Sequence, residues 1–143
     1  SAETVKNAFE AIKSTMSGVE VKKGKVLVAT VFGDVHDIGK NILKLLLENY
    51  GYEVIDMGKD VPPEDIVKRT LDENIKLVGL SALMTTTVVN MDSTIKALKT
   101  AGFKGKVMVG GAVLTQEYAD MISADFYCRD ALNGVRYARE VLG

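Results

Sequence analysis

Val26-Leu27-Val28-Ala29-Thr30-Val31 is a short apolar, β-branched run bounded by Gly24 and Gly33. It is too short for a buried helix and suits a strand covered on both faces of a parallel sheet. Downstream, Ile38, Ile42, Leu45 and Leu46 recur at helical spacing as far as Tyr50-Gly51, where glycine closes the helix. The order is strand, loop, helix, and it repeats. Glu53 to Met57 reads as a second strand, and Pro62-Pro63 opens a helix through Leu71, because proline is tolerated in a first turn. Leu77 to Ser81 is a third strand. Thr87 or a neighbouring threonine caps a helix carrying Val88, Met91, Ile95 and Leu98, which Gly102 ends. Val107-Met108-Val109 makes a fourth strand, followed by a short helix at Gln116 to Ile122, a strand at Asp125 to Tyr127 and a helix from Asp130 to Leu142.

Strands alternating with helices of about a dozen residues argue for right-handed βαβ crossovers and a parallel sheet covered on both faces. The expected fold is therefore α/β: a doubly wound, flavodoxin-like (Rossmann-like) sheet of five strands in the order 2-1-3-4-5. Ahead of it, Val5, Phe9, Ile12 and Met16 fall on one face of an amphipathic helix over residues 3–17. Residues 1–22 thus read as an N-terminal helix and linker, either a cover for the sheet edge or the remnant of a helical cap module. Residues 23–143 are the α/β domain.

Composition narrows the class. A chain of 143 residues fits one domain. Its hydrophobic content is 47%, yet no apolar run approaches the roughly 18 residues a membrane span needs, and no membrane partner is expected. The N-terminus has no basic stretch followed by an apolar core of the secretory kind. Cys128 is the single cysteine, which suits a reducing cytoplasm and cannot build a cysteine zinc site; it reads as inert. Eighteen basic residues are scattered among nineteen acidic ones, so the electrostatic footprint of a nucleic-acid binder is missing.

In an open α/β sheet the ligand sits beyond the carboxyl ends of the strands, where strand order reverses, here between the first and third strands. Two loops lie there: Gly33-Asp34-Val35-His36-Asp37-Ile38-Gly39-Lys40-Asn41 and Ser81-Ala82-Leu83-Met84-Thr85-Thr86-Thr87. The first fails the dinucleotide pattern, having glycines only at 33 and 39. It also fails the phosphate-loop pattern. Its glycine spacing is wrong, Asn41 stands where a magnesium-holding hydroxyl belongs, and Asp34 and Asp37 repel phosphate.

What remains is a histidine flanked by two aspartates. That arrangement suits a neutral imidazole that binds metal through one nitrogen while the other donates to a carboxylate, with Asp34 the candidate partner. A protein-only zinc or iron site needs three or four ligands, and the chain offers a single histidine and one distant cysteine. A metal already held by a macrocycle needs only one axial ligand, so the count favours a tetrapyrrole-like cofactor. Asp37 reads as a first-turn carboxylate favoured by the helix dipole. Met84 and Met91 read as core filler, and Lys40 and Lys44 as a solvated helix face.

Asp34-x-His36-x-x-Gly39, then Ser81-x-Leu83, then Gly110-Gly111 resembles the signature of the B12-binding domain family over roughly residues 25–142. The string from Gly33 to Ile42 is most similar to the cobalamin domain of methionine synthase and to corrinoid methyl-carrier proteins. The resemblance implies a cobalamin or related corrinoid cofactor held base-off, with His36 as lower axial ligand to cobalt. It further implies that Asp34 is the hydrogen-bond partner of His36 and that Thr87 continues the relay. Ser81 and Thr85 match positions that contact the buried base, and Val35, Asp37, Ile38 and Leu83 complete the cofactor-binding stretches. Independently, Ser81, Leu83, Thr85 and Thr87 would share one side of an extended segment. Gly39, Gly110 and Gly111 would admit a bulky ligand to the backbone.

The function implied is a methyl carrier, not a catalyst on its own. Cobalt would take a methyl group from a substrate:corrinoid methyltransferase and yield it to a corrinoid:acceptor methyltransferase, with a reductive activase as a further partner. The alternative is the B12-binding portion of an adenosylcobalamin mutase, whose motif commonly reads His-Asp-Arg-Gly where this chain has His36-Asp37-Ile38-Gly39. A third class, a sensor joined to a DNA-binding module, lacks support in a chain without a basic recognition helix.

Overall fold

The computed structural model describes residues 23–143. The amphipathic stretch over residues 3–17 lies outside the described residues. The chain runs through β1 (Lys25–Thr30), α1 (Ile38–Asn49), β2 (Glu53–Asp56), α2 (Pro63–Asp72), β3 (Leu77–Ser81), α3 (Val88–Thr100), β4 (Lys106–Gly110), α4 (Gln116–Met121), β5 (Phe126–Cys128) and α5 (Ala131–Leu142). All strand pairs are parallel, and the sheet order is β2-β1-β3-β4-β5. The expected doubly wound fold is the fold observed.

Alternation along the strands builds two cores. Leu27, Ala29, Val78, Leu80, Val107 and Val109 point to the side covered by α2, α3 and α4, meeting Ile66, Met91, Ile95 and Leu98. Val26, Val28, Leu77 and Met108 point to the other side and meet Leu47 of α1 with Val135 and Ala138 of α5. The central strands are buried on both faces, which is why they read as unbroken apolar runs.

The ends of elements differ from the sequence reading by a residue or two. Val31 leaves β1 and makes an isolated bridge to Val61. Pro62 is the N-cap of α2 and Pro63 its first residue. β5 is displaced one residue, to Phe126–Cys128, because the Asp125 carboxylate turns back to accept the Val107 amide at 2.8 Å.

Three expectations are corrected. Lys40 is buried, not solvated: its ammonium donates to Asp56 at 2.6 Å and to Asn41 at 2.8 Å. Met84 is exposed on a turn, while Met91 is core as expected. On α1, Ile38, Ile42 and Leu45 are exposed, and the face turned to the sheet carries Leu43, Leu46 and Leu47. The helix has apolar residues on more than one side, so periodicity identifies it as a helix without choosing its buried face.

Candidate functional site

Strand order reverses at β1, which has β2 on one side and β3 on the other. The loop leaving β1 is pinned from several directions. Gly33, at φ 85°, donates its amide to the Asp60 carboxylate at 2.7 Å. Asn90 of α3 donates to the Phe32 carbonyl at 2.6 Å, and the Asp34 carbonyl accepts the Asp60 amide at 2.9 Å. The backbone that carries residues 34–36 is therefore preorganised by β2–α2 and α3 together.

Asp34 is fully buried, and both of its oxygens are occupied. Oδ1 accepts the His36 amide at 2.9 Å and lies 2.8 Å from His36 Nδ1. Oδ2 accepts the Thr87 hydroxyl at 2.6 Å, the Leu83 amide at 2.7 Å and the Met84 amide at 3.3 Å. Burial alone would push this carboxyl up. The bonds from Thr87, the His36 and Leu83 amides and the His36 ring outweigh burial and hold it well below the usual carboxylate range.

An ionised carboxylate facing Nδ1 fixes the tautomer: Nδ1 carries the hydrogen, and in the neutral ring Nε2 keeps its lone pair. The His36 side chain is half exposed, at 44%, and among the described residues nothing engages Nε2. The second loop does not continue β3 as an extended segment. Thr87 and Val88 both donate their amides to the Met84 carbonyl, so residues 84–88 turn. This swings Thr87 inward to Asp34, at the N-cap position of α3 yet making no cap bond to the helix, and leaves Thr85 exposed.

Beside His36 opens a cavity of about 670 Å³ between the carboxyl end of the sheet and the first turns of α1 and α5. Register accounts for it. On the α1 and α5 side, the last row of the sheet is Thr30, Ser81, Gly110 and Cys128, and the row beneath is Val28, Gly79, Met108 and Phe126. At Gly79, Ser81 and Gly110 almost no side chain rises from the floor, so a trough remains. Gly111 takes φ 151°, and a Cβ there would collide with the Ala82 carbonyl oxygen, so the two loops touch backbone to backbone.

Of the residues singled out from sequence, Val35, His36, Asp37, Ile38 and Gly39 line the cavity from the first loop. Ser81, Leu83, Gly110 and Gly111 line it from β3 and β4. Asp34 and Thr87 stand behind His36, and Thr85 lies outside the lining. Sequence reasoning missed Leu43 and Met108 as trough walls and Gly79 as part of its floor. The available signal was the row of small residues at matching depth in neighbouring strands, which needs the register to be seen.

The donor set suits a macrocycle-held metal: one imidazole nitrogen at an apolar cavity, with no group of three or more His, Cys, Asp or Glu placed to hold an ion among the described residues. A trough of this size holds a ligand of several hundred Å³. At Gly39 an added Cβ would meet nothing within 4 Å, so the rim is open for a broad, flat group.

Residues 24–136 match the B12 binding domain family. The chain is 44% identical over 128 residues to dimethylamine corrinoid protein 3 of Methanosarcina acetivorans, covering 88% of this chain and 60% of that relative's length. Its fold is similar to the crystal structure of a cobalamin-binding protein from Desulfitobacterium hafniense, with TM-score 0.85, 35% identity and coverage of 94% of this chain and 66% of that one. It is also similar to a chain of the methanol:cobalamin methyltransferase complex of Methanosarcina barkeri, with TM-score 0.84, 32% identity and coverage of 93% and 52%. No described helix is long and apolar enough to cross a membrane.

Proposed function

The chain belongs to the B12-binding domain family, and from that premise we propose that it is a corrinoid methyl carrier serving partner methyltransferases. The observation that carries this is the Asp34-His36 pair, which leaves Nε2 available at the mouth of an apolar trough. Its cofactor is cobalamin or a related corrinoid.

When bound, the corrinoid supplies a cobalt that accepts and gives up a methyl group. The residues that would hold it are His36 as axial ligand, Val35, Ile38 and Leu83 as apolar supports, and Ser81, Gly110 and Gly111 along the trough for the detached tail. Asp34 holds the proton at His36 Nδ1, and Thr87 with the Leu83 amide holds Asp34. Removing a proton from this relay strengthens the imidazole as a ligand, and adding one weakens it.

The partners in this reading are a substrate:corrinoid methyltransferase, a corrinoid:acceptor methyltransferase and a reductive activase, in the cytoplasm. Relatives named as dimethylamine and trimethylamine corrinoid proteins support the first of these.

The test is the absorbance spectrum of the purified chain after incubation with hydroxocobalamin and desalting, beside His36→Ala, followed by electron resonance of the Co(II) form. Retained corrinoid with axial nitrogen from imidazole, lost in His36→Ala, is the expected result. Retention with an unchanged benzimidazole signal in both proteins would remove His36 from the role.

A further inference from the structure

Among the described residues, three that are not glycine adopt a left-handed backbone: Asp60 at φ 55°, Asn74 at φ 54° and Ser123 at φ 62°. Asn74 and Ser123 each sit just past the C-cap of a helix, α2 and α4, where a left-handed residue commonly closes the last turn. Asp60 closes no helix, since it lies between β2 and α2. Its conformation has another cause.

That cause is the facing loop, which Asp60 engages at two points. Its carboxylate Oδ1 accepts the Gly33 amide at 2.7 Å, and its own amide donates to the Asp34 carbonyl at 2.9 Å. The neighbours of Asp60 are tied in turn to the end of β1. Thr30 donates its amide to the Gly58 carbonyl at 2.9 Å, and Val61 donates its amide to the Thr30 carbonyl at 3.2 Å. Asp60 is thus held by the sheet and holds residues 33–34.

His36 depends on that hold. Its amide and its Nδ1 both meet Asp34 Oδ1, so the imidazole is located through Asp34. Thr87 and the Leu83 amide fix the carboxylate of Asp34, whereas its main chain is fixed by the Asp60 amide and by its own bond to the Val31 carbonyl at 3.0 Å. Play in that main chain passes straight to the ring.

We propose that Asp60 is a positioning residue for the axial histidine: by gripping Gly33 and Asp34 it sets how firmly His36 is presented to cobalt. The proposal rests on the carrier reading and extends it to a residue outside the cavity lining. A ligand held in one geometry acts as though highly concentrated, and loosening it weakens coordination without changing its chemistry. Loss of one bond to a charged acceptor should weaken the imidazole about tenfold. Imidazole favours Co(II) over four-coordinate Co(I), so a tenfold loss raises that one-electron midpoint potential by about 59 mV.

Two variants separate the acceptor from the backbone and from the charge. Asp60→Gly removes the acceptor but keeps the left-handed conformation accessible, and Asp60→Asn removes the charge but keeps an oxygen acceptor and tolerates that conformation. The experiment loads the full chain and both variants with hydroxocobalamin, checks folding by circular dichroism, and records electron resonance of the Co(II) form and the Co(II)/Co(I) potential. Expected are equal folding and corrinoid retention, a potential about 59 mV higher with a weaker axial-nitrogen signal in Asp60→Gly, and wild-type values in Asp60→Asn. Wild-type values in Asp60→Gly overturn the proposal, and so does Asp60→Asn behaving as Asp60→Gly, since its acceptor remains. Wild-type protein that retains corrinoid without an imidazole nitrogen on cobalt overturns the assignment of His36 and this inference with it, and retention of no corrinoid overturns the carrier reading itself. Where Asp60→Gly fails to fold, hydrogen exchange of the Gly33 amide in the cofactor-free wild type decides: slowed exchange supports the grip, and exchange at the rate of an unprotected amide overturns it.

Discussion

Lys40 of α1 and Asp56 at the end of β2 meet at 2.6 Å, with the lysine side chain only 2% exposed. The Asp56 carboxylate also accepts the Gly58 amide at 2.8 Å, and although burial pushes it up, the lysine and that amide leave it below its ordinary range. The pair ties the first turn of the helix that follows His36 to the neighbouring strand. Lys40→Met keeps the stem's volume but leaves Asp56 without its main partner. We expect a loss of about 2 to 3 kcal/mol, as for a hydrogen bond to a charged group, because Asp56 retains some access to water. Urea unfolding measures it, and a loss under about 0.5 kcal/mol would mark the pair as an ordinary surface contact.

Thr87→Val removes the hydroxyl on Asp34 and preserves shape. Asp34's carboxyl lies below its unfolded value of 3.8, so the ionised form favours folding. That stabilisation is fully present above the unfolded value and is lost as pH falls through the folded one. Without the Thr87 bond the folded carboxyl rises, and less stabilisation exists to lose. Wild type should therefore exceed Thr87→Val by about 1.5 to 3 kcal/mol at pH 7, and because the unfolded value is common to both proteins the gap closes only as pH falls through the variant's own folded value. Urea midpoints at pH 7 and an NMR titration of the Asp34 carboxyl carbon in both proteins test this, and a carboxyl that titrates at the same pH in both would show that the hydroxyl does not act through the carboxylate.

Two glycines separate folding from binding. Gly39 lies in α1 with open space where a Cβ would sit, so Gly39→Ala should stabilise the chain by about 0.5 kcal/mol and weaken corrinoid binding by crowding the rim. Gly111→Ala forces a Cβ onto the Ala82 carbonyl at a backbone angle alanine avoids, and should cost about 3 kcal/mol. Thermal melts and corrinoid titrations on the two variants check both halves. Unchanged binding in Gly39→Ala would place the ligand away from the first turn of α1.

The strands were legible because Val26–Val31 and Leu77–Ser81 are buried on both faces and therefore apolar without interruption. The Asp34-His36-Thr87 constellation was legible as motif, and its partners fall within hydrogen-bond distance. What sequence could not supply depends on register and on helix rotation. An extended segment would put Thr85 on one side with Leu83 and Thr87, but β3 stops at Ser81 and a turn anchored on Met84 follows. Lys40 looked solvated because its partner, Asp56, arrives from another strand. Gly79 and Met108 carry no motif of their own and become a trough only when β3 and β4 are paired.

Cys128 lines the trough and would be a hazard near a redox-active ligand if its thiolate formed readily. The surroundings prevent this: burial, with a smaller contribution from the Asp130 carboxylate, pushes the thiol up to about 12. At pH 8 the thiolate is then about one part in ten thousand, so attack on a soluble disulfide reagent is suppressed by its scarcity as well as by limited access. The folded chain should show no prompt thiol release with such a reagent at pH 8, and one full equivalent after guanidinium unfolding. Because Asp130 also caps α5 by accepting the Asn133 amide at 2.9 Å, Asp130→Asn removes the charge while retaining a capping side chain. That variant should react slightly faster than wild type and fold alike. Prompt reaction of the wild-type thiol would mean that the trough opens to solvent far enough to expose Cys128.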